Sequence, residues 1–198
     1  MNFIRTSLYS GVSTAISLLV RLISNKIVAV YLGTSGIFLR GQLKDFLRLS
    51  NVISGFGIEN GIIKYTSEFQ KSDEELRKIL STSFRTHLFF SLIFCVLILI
   101  FKNTIAEYLL LDFDSKFYFL ILSISVISFS IHTLLMSIIN GIKKIKLYVT
   151  INVFSVVISG ILMITLVLKY AIIGALYALI INQIITLLVT LILFYIYK

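Results

Sequence analysis

LYSGVSTAISLLVRLISNKIVAVYL at residues 8–32 and FLRGQLKDFLRLSNVISGFGIENGII at residues 38–63 are long and largely apolar, yet each carries charge near its middle. In the first, Ser10, Thr14, Ser17, Arg21 and Asn25 recur every three to four residues, which places them on one face of a helix. Lys44, Arg48, Asn51, Gly55 and Glu59 repeat the pattern in the second. A charge at the bilayer centre costs about 2.5–3.5 kcal/mol on insertion scales. Arg21, Lys26, Lys44 and Arg48 would together cost roughly 10–14 kcal/mol if they faced lipid. They must face water, protein or an anion, and the expectation is a pair of helices lining a cationic cavity.

Depth supports that grouping. At a rise of about 1.5 Å per residue, Arg21 and Arg48 each fall near the middle of their stretch. The two stretches run in opposite directions, so Lys26 and Lys44 both fall in the outer half and the pairs could meet at two levels. Guanidinium forks suit bidentate contact with phosphate or carboxylate. A competing reading pairs Asp45 with Arg48 at i,i+3, lets Glu59 hold a cation from another helix, and lets the lysines snorkel. It is incomplete, because two acids cannot neutralise four cations. Asp45, Glu59 and Asn60 are candidates for ion handling or gating, with Glu59, Asn60 and Lys64 marking a cytoplasmic mouth.

Composition sets the class. Of 198 residues 58% are hydrophobic, with no proline and no tryptophan, and the mean hydropathy is +1.01. Soluble domains average about 45–50% apolar residues, so this is an integral membrane protein. The runs are apolar all round rather than alternating, which selects helices over a barrel. A net charge of +9 would suggest nucleic acid in a soluble protein, but no aromatic-basic module accompanies it. Cys95 stands alone in an apolar run, leaving neither a disulfide nor a metal site to build. The first run carries polar residues, lacks a small-residue cleavage site and is long enough to span, so no cleavable signal peptide is expected.

Six spans are expected, at 8–32, 38–63, 87–101, 117–139, 147–168 and 171–197. Ten basic residues fall on one side: Arg5, Lys64, Lys71, Arg77, Lys78, Arg85, Lys143, Lys144, Lys146 and Lys198. Four fall on the other: Arg40, Lys102, Lys116 and Lys169. The positive-inside rule then makes both termini cytoplasmic. Loop 66–83 holds Ser72-Asp73-Glu74-Glu75, a capping box that predicts a short amphipathic helix on the cytoplasmic surface. The outer loop 103–115 reads as partly helical. Gly55-Phe56-Gly57 is the best candidate for a bend.

Other polar residues read as structural. Asn152, Asn182 and Gln183 are expected to join helices, and Ser123, Ser125, Ser128 and Ser130 to bond their own backbone. A proton-relay role for His132 is a minor alternative. No phosphate loop, nucleophile elbow, zinc spacing or paired carboxylates occur, so neither an enzyme nor a bound cofactor is expected.

Asn25-Lys26-Ile27-Val28-Ala29-Val30-Tyr31-Leu32-Gly33, with Gly36 beyond it, resembles the end of the first span of Wzx-type polysaccharide flippases. Gly41-Gln42-Leu43-Lys44 and Gly57-Ile58-Glu59-Asn60-Gly61-Ile62-Ile63-Lys64-Tyr65 are similar to that family in the same order. The likeness is specific over residues 6–68 and one of hydropathy beyond. It implies an all-α, six-helix transmembrane bundle that forms one lobe of a two-lobe transporter in the bacterial inner membrane. The implied substrate is a lipid-linked oligosaccharide carried on a polyprenyl diphosphate, which cationic residues of the first two spans would meet. Lys26 and Lys44 inherit that role by matching motif, and Arg21 and Arg48 by face and depth. The family is about twice this length, so the expected partners are membrane lipids and a second six-span lobe, as a missing half or a second copy. A multidrug exporter of the related MATE type, or a truncated or structural subunit, is the alternative.

Overall fold

The computed structural model describes residues 3–55, 57–108 and 116–197, all in helices or short turns. Six helices follow in order: α1 (Phe3–Gly55), α2 (Glu59–Glu68), α3 (Asp73–Ile100), α4 (Lys102–Tyr108), α5 (Lys116–Gly141) and α6 (Ile145–Ile196). Among the described residues, four segments are long and apolar enough to cross a membrane: Leu8–Gly55, Asp73–Ile100, Phe117–Gly141 and Ile145–Ile196. About 20 residues suffice for one crossing. The first and last of these, with 48 and 52 residues, are more than twice that length.

Each of the two long helices is broken once. Gly33 has φ 64° and ψ −161° inside α1, a conformation open to glycine and costly to other residues by about 1–3 kcal/mol. Ala171 has φ 49° and ψ −127° inside α6, near the first central position of a type II′ turn. At both points the chain turns back. Arg40 Nη1 donates to Asn25 Oδ1 at 2.6 Å, whereas fifteen residues of unbroken helix would separate them by about 22 Å. Gly174 likewise lies directly against the Leu166 carbonyl on the other side of Ala171. Each long helix is therefore two antiparallel arms, 3–32 and 34–55 in α1, and 145–170 and 172–196 in α6.

The arms share a continuous core. Leu43 and Leu47 join Ile98 of α3, Leu122 and Val126 of α5, and Leu176 and Ile180 of α6. Val28 packs with Met163, Val167, Ala175 and Ala178, uniting the first arm of α1 with both arms of α6. Small residues keep these contacts close, as they do wherever lipid provides no apolar driving force between helices. Met136 and Ile139, at the end of α5, pack with Leu147 and Ile151 and with Leu193 and Phe194. Gln70 bonds the Ile142 carbonyl at 3.2 Å, and the Lys146 ammonium lies over the Tyr9 ring. Residues from both described ends of the chain thus gather at one end of the molecule. Leu18, Leu19, Leu22, Leu188, Leu191 and Ile192 are exposed, as lipid-facing side chains should be.

Several boundaries differ from the expectation. The second apolar stretch stops being one helix at Gly55, Gly57 takes φ 66°, and Glu59 starts the separate helix α2; Phe56 lies outside the described residues. Ser72 occupies the N-cap of α3 but makes no side-chain cap hydrogen bond. In place of a separate amphipathic helix, residues 73–83 are the opening turns of α3. No glycine or proline interrupts residues 73–100, so nothing ends the helix before Ile100. Loop 103–115, expected to be partly helical, contributes α4, and its residues 109–115 lie outside the described residues.

Cysteines at positions 25 and 40, in a chain whose Cys95 has been replaced, should cross-link with a short bifunctional reagent. Gly33→Ala should lower the melting temperature in detergent, matching a loss of about 1–3 kcal/mol. A pair that fails to cross-link, or an unchanged melting temperature, would argue against the reversal at Gly33.

Candidate functional site

The reversal at Gly33 lays the polar face of the first arm against that of the second. Between them and α6 lies a cavity of about 580 Å³. Val20, Arg21, Ser24 and Asn25 line it from the first arm, and Arg40, Lys44, Asp45, Arg48 and Asn51 from the second. Phe129 of α5 contributes one edge. The floor comes from α6: Ser155, Ser159, Gly160 and Met163 on one arm, Asn182, Gln183 and Thr186 on the other. Gly160 presses directly on Val20, with Ser24 Oγ 3.5 Å from where a Cβ would stand. A larger residue there would have to push the two arms apart.

Four cations and one carboxylate, Asp45, line this space. Lys44 feels the charge of Arg40, Arg21 and Arg48 and, with opposite sign, that of Asp45. Among the described residues the ion pairs join Lys78 to Glu74 at 2.9 Å and to Glu75 at 3.3 Å, on the exposed start of α3. Neither Asp45 nor Glu59 pairs with a cavity cation. Ser24 Oγ, Arg40 Nε, Ser155 Oγ and Asn182 Oδ1 are buried without a hydrogen-bond partner in the protein. An unsatisfied buried polar atom costs about 1–3 kcal/mol, so these atoms favour water or a polar ligand in the cavity. Arg21, Lys44, Asp45 and Arg48 are exposed, which leaves the cationic side open.

The expected residues divide as follows. Arg21, Lys44, Arg48 and Asp45 come together in the cavity. Lys26 is exposed and lies outside its lining. Five helical residues separate it from Arg21, about 140° around the axis, so it points away from the polar face. Arg40, counted among the basic residues of the outer side, takes its place beside Asn25. Asn182 and Gln183, expected to join helices, line the cavity as well. The i,i+4 series Arg40, Lys44, Arg48 would have revealed Arg40.

Glu59 occupies a second, smaller space of about 260 Å³, with His132, Asn140 and Asn152 also in its lining. Its Oε1 accepts from Asn51 Nδ2 at 3.2 Å. Asn60 is exposed on α2 and lines neither space. Ser123, Ser125 and Ser128 donate to carbonyls of their own helix, while Ser130 meets His87 Nδ1 at 3.0 Å. His132 Nδ1 meets Thr190 Oγ1 at 2.8 Å.

The family model described as "Polysaccharide biosynthesis protein" matches residues 42–198. Among curated proteins, the lipid III flippases of Escherichia coli (strain K12) and Shigella flexneri are each 29% identical over 83 residues. That stretch is 42% of this chain and only 20% of each relative. No solved structure matches.

Since Asp45 and Arg48 form no ion pair, Arg48→Gln should leave membrane abundance near that of the parent. Asp45→Asn should then give no repair. Quantitative immunoblotting of membranes checks both, and a collapse of Arg48→Gln that Asp45→Asn restores would establish internal pairing instead.

Proposed function

Because the chain belongs to the polysaccharide biosynthesis protein family, we propose that it is one lobe of a flippase for a polyprenyl-diphosphate-linked oligosaccharide. The observation that carries this reading is the cavity itself, in which Arg21, Arg40, Lys44 and Arg48 face one carboxylate and no ion pair. A diphosphate bears several negative charges on oxygens that accept charge-assisted hydrogen bonds, and arginine forks engage such oxygens in pairs. The serine and amide floor of α6 offers partners for sugar hydroxyls. Exposed apolar helix faces leave the prenyl chain in lipid. A multidrug cation exporter would need the opposite balance, with acids dominating the cavity.

In this reading the arms of α1 and α6, with α3 and α5, are six membrane crossings, and a second six-span lobe closes the cavity. Alternating access between lobes then moves the headgroup from the inner to the outer leaflet of the bacterial inner membrane. Loops rich in lysine and arginine support cytoplasmic termini. A cysteine introduced at Lys144 should react with an impermeant reagent only from the cytoplasmic face. Labelling from the periplasmic side would reverse the orientation.

Arg21→Gln or Arg48→Gln removes a charge-assisted hydrogen bond, worth about 1.5–3 kcal/mol. Affinity for the diphosphate headgroup should fall about ten- to a hundredfold, with export of the lipid-linked sugar reduced in parallel. Arg→Lys should rescue only in part, because a point charge lacks the fork. Membrane abundance and export are measured together in the assembled transporter. Normal export by an abundant Arg21→Gln, Arg48→Gln double variant would reject the diphosphate role.

A further inference from the structure

The two cavities have opposite chemistry. In a chain of net charge +9, the smaller cavity is lined, among the described residues, by one carboxylate, Glu59, and by no lysine or arginine. Thr133, Ser137, Asn140 and Asn152 surround it with neutral oxygen donors, the ligand type that hard cations prefer. Glu59 is half-buried and, among the described residues, makes no ion pair. It is joined to the larger cavity through one side chain. Asn51, which lines the larger cavity, donates from Nδ2 to Glu59 Oε1 at 3.2 Å. Its Oδ1 lies 3.3 Å from Thr133 Oγ1, whose single hydroxyl hydrogen has nearer acceptors in the Ser130 and Phe129 carbonyls at 2.9 and 3.1 Å.

We propose that the smaller cavity takes a small monovalent cation, a sodium ion or a proton, on Glu59, and that this cation strengthens anion binding in the larger cavity through Asn51. A carboxylate can only accept, so an ionised Glu59 holds the amide N–H₂ of Asn51 turned toward itself. A cation on Glu59 competes for those carboxylate lone pairs. A protonated Glu59 goes further, donating to the amide oxygen. Either event frees the Asn51 N–H₂ to donate to an anion among Arg21, Lys44 and Arg48.

Other charged and titratable groups lie around Glu59 on each neighbouring helix. On α3, the buried His87 places Cε1 3.3 Å from the point where a Gly55 Cβ would stand, with Glu59 Oε1 3.6 Å from that same point. His132 on α5 and Tyr148 on α6 line the cavity, and His132 is already bonded to Thr190. Arg48 on α1 faces the larger cavity. Lys64 on α2 is exposed, its ammonium 5.6 Å from the Tyr65 ring centre.

The second half of the proposal rests on the anion-binding reading above; the first does not. The test uses the assembled transporter, including any second lobe, in lipid nanodiscs and farnesyl diphosphate as probe. Its affinity is measured with sodium replaced by N-methylglucamine at constant ionic strength, and separately from neutral to acid pH without sodium. Coupling between sites is reciprocal and typically 5- to 150-fold. The parent chain should bind the probe at least about fivefold more tightly with the cation present, and Glu59→Gln should bind it without that dependence. A sodium effect lost in Glu59→Gln assigns a sodium ion, and an acid effect lost in it assigns a proton. The protonation of the probe itself is common to both chains and cancels. An effect that survives Glu59→Gln, or no effect while the probe still binds, overturns the proposal and leaves the flippase reading standing.

If the probe fails to bind at all, the flippase reading falls. Retention of radioactive sodium and the infrared carboxyl band, each compared between parent and Glu59→Gln, then decide the cation site directly. A signal lost in the variant upholds it, and no difference sinks it. Asn51→Leu serves should Glu59→Gln not fold: it should retain the cation and lose the coupling, and persistent coupling would refute the route through Asn51.

Discussion

Reversal of the chain at Gly33 governs the rest of this molecule. It converts one apolar segment with charges in it into two antiparallel arms whose charged faces meet. Arg21 and Arg48 are 27 positions apart in sequence and reach one cavity only because of that turn. The turn does not hold itself. Arg40 and Asn25 tie the arms with a charge-assisted hydrogen bond, worth about 1.5–3 kcal/mol. Against it stands the repulsion of neighbouring cations, about 2 kcal/mol for each pair of unit charges 8 Å apart at an effective dielectric near 20. Packing must supply the difference. Leu43 and Leu47 on the second arm and Val28 on the first are nearly inaccessible in the core, and Gly160 lets α6 approach Val20 and Ser24.

Charge is sorted along this framework rather than cancelled. Arg21, Arg40, Lys44 and Arg48 collect in one cavity, while Glu59 stands in another with no lysine or arginine among the described residues of its lining. Had stability been the only requirement, pairing Glu59 with a cation would remove both desolvation costs at once. Asn51 instead separates the two signs, bonded to Glu59 on one side and open to the cations on the other. A neutral amide with both a donor and an acceptor suits that position, since it can reorient without moving charge through lipid.

Much of this was legible in the sequence because period and hydropathy are local. The polar faces of the two arms were visible at i,i+3 and i,i+4 spacing, and Arg21, Lys44 and Arg48 were read from them. The break at Ala171 was visible as a dip at Lys169 and Tyr170, although no glycine or proline marks it. Lys26, read as a further cation of the cavity, lies outside its lining, as the same periodicity indicates by placing it about 140° from Arg21. Arg40 was counted with the outer-side charges because it is the third residue of the expected span 38–63, near its end; its bond to Asn25 is tertiary. The capping box at Ser72 correctly located a helix start, but where that helix ends depends on the absence of a breaker far downstream. Asn182 and Gln183 could not be told from structural amides, because only packing of the second arm of α6 decides what they face.

The open side of the larger cavity sets how strongly it can act. In its floor Ser155 and Thr186 are both under a tenth exposed, whereas Arg21, Lys44 and Arg48 remain exposed to solvent. In high dielectric an ion pair at 4 Å gains about 1 kcal/mol, and at an effective dielectric near 20 about four times that. Covering the open side with a further apolar wall would therefore strengthen every contact between these cations and a bound anion. Uncovering it would weaken them all together. A site built on charge at the mouth and small polar groups at the floor thus couples affinity to enclosure, and a change in enclosure alone can capture a charged headgroup on one side and release it on the other.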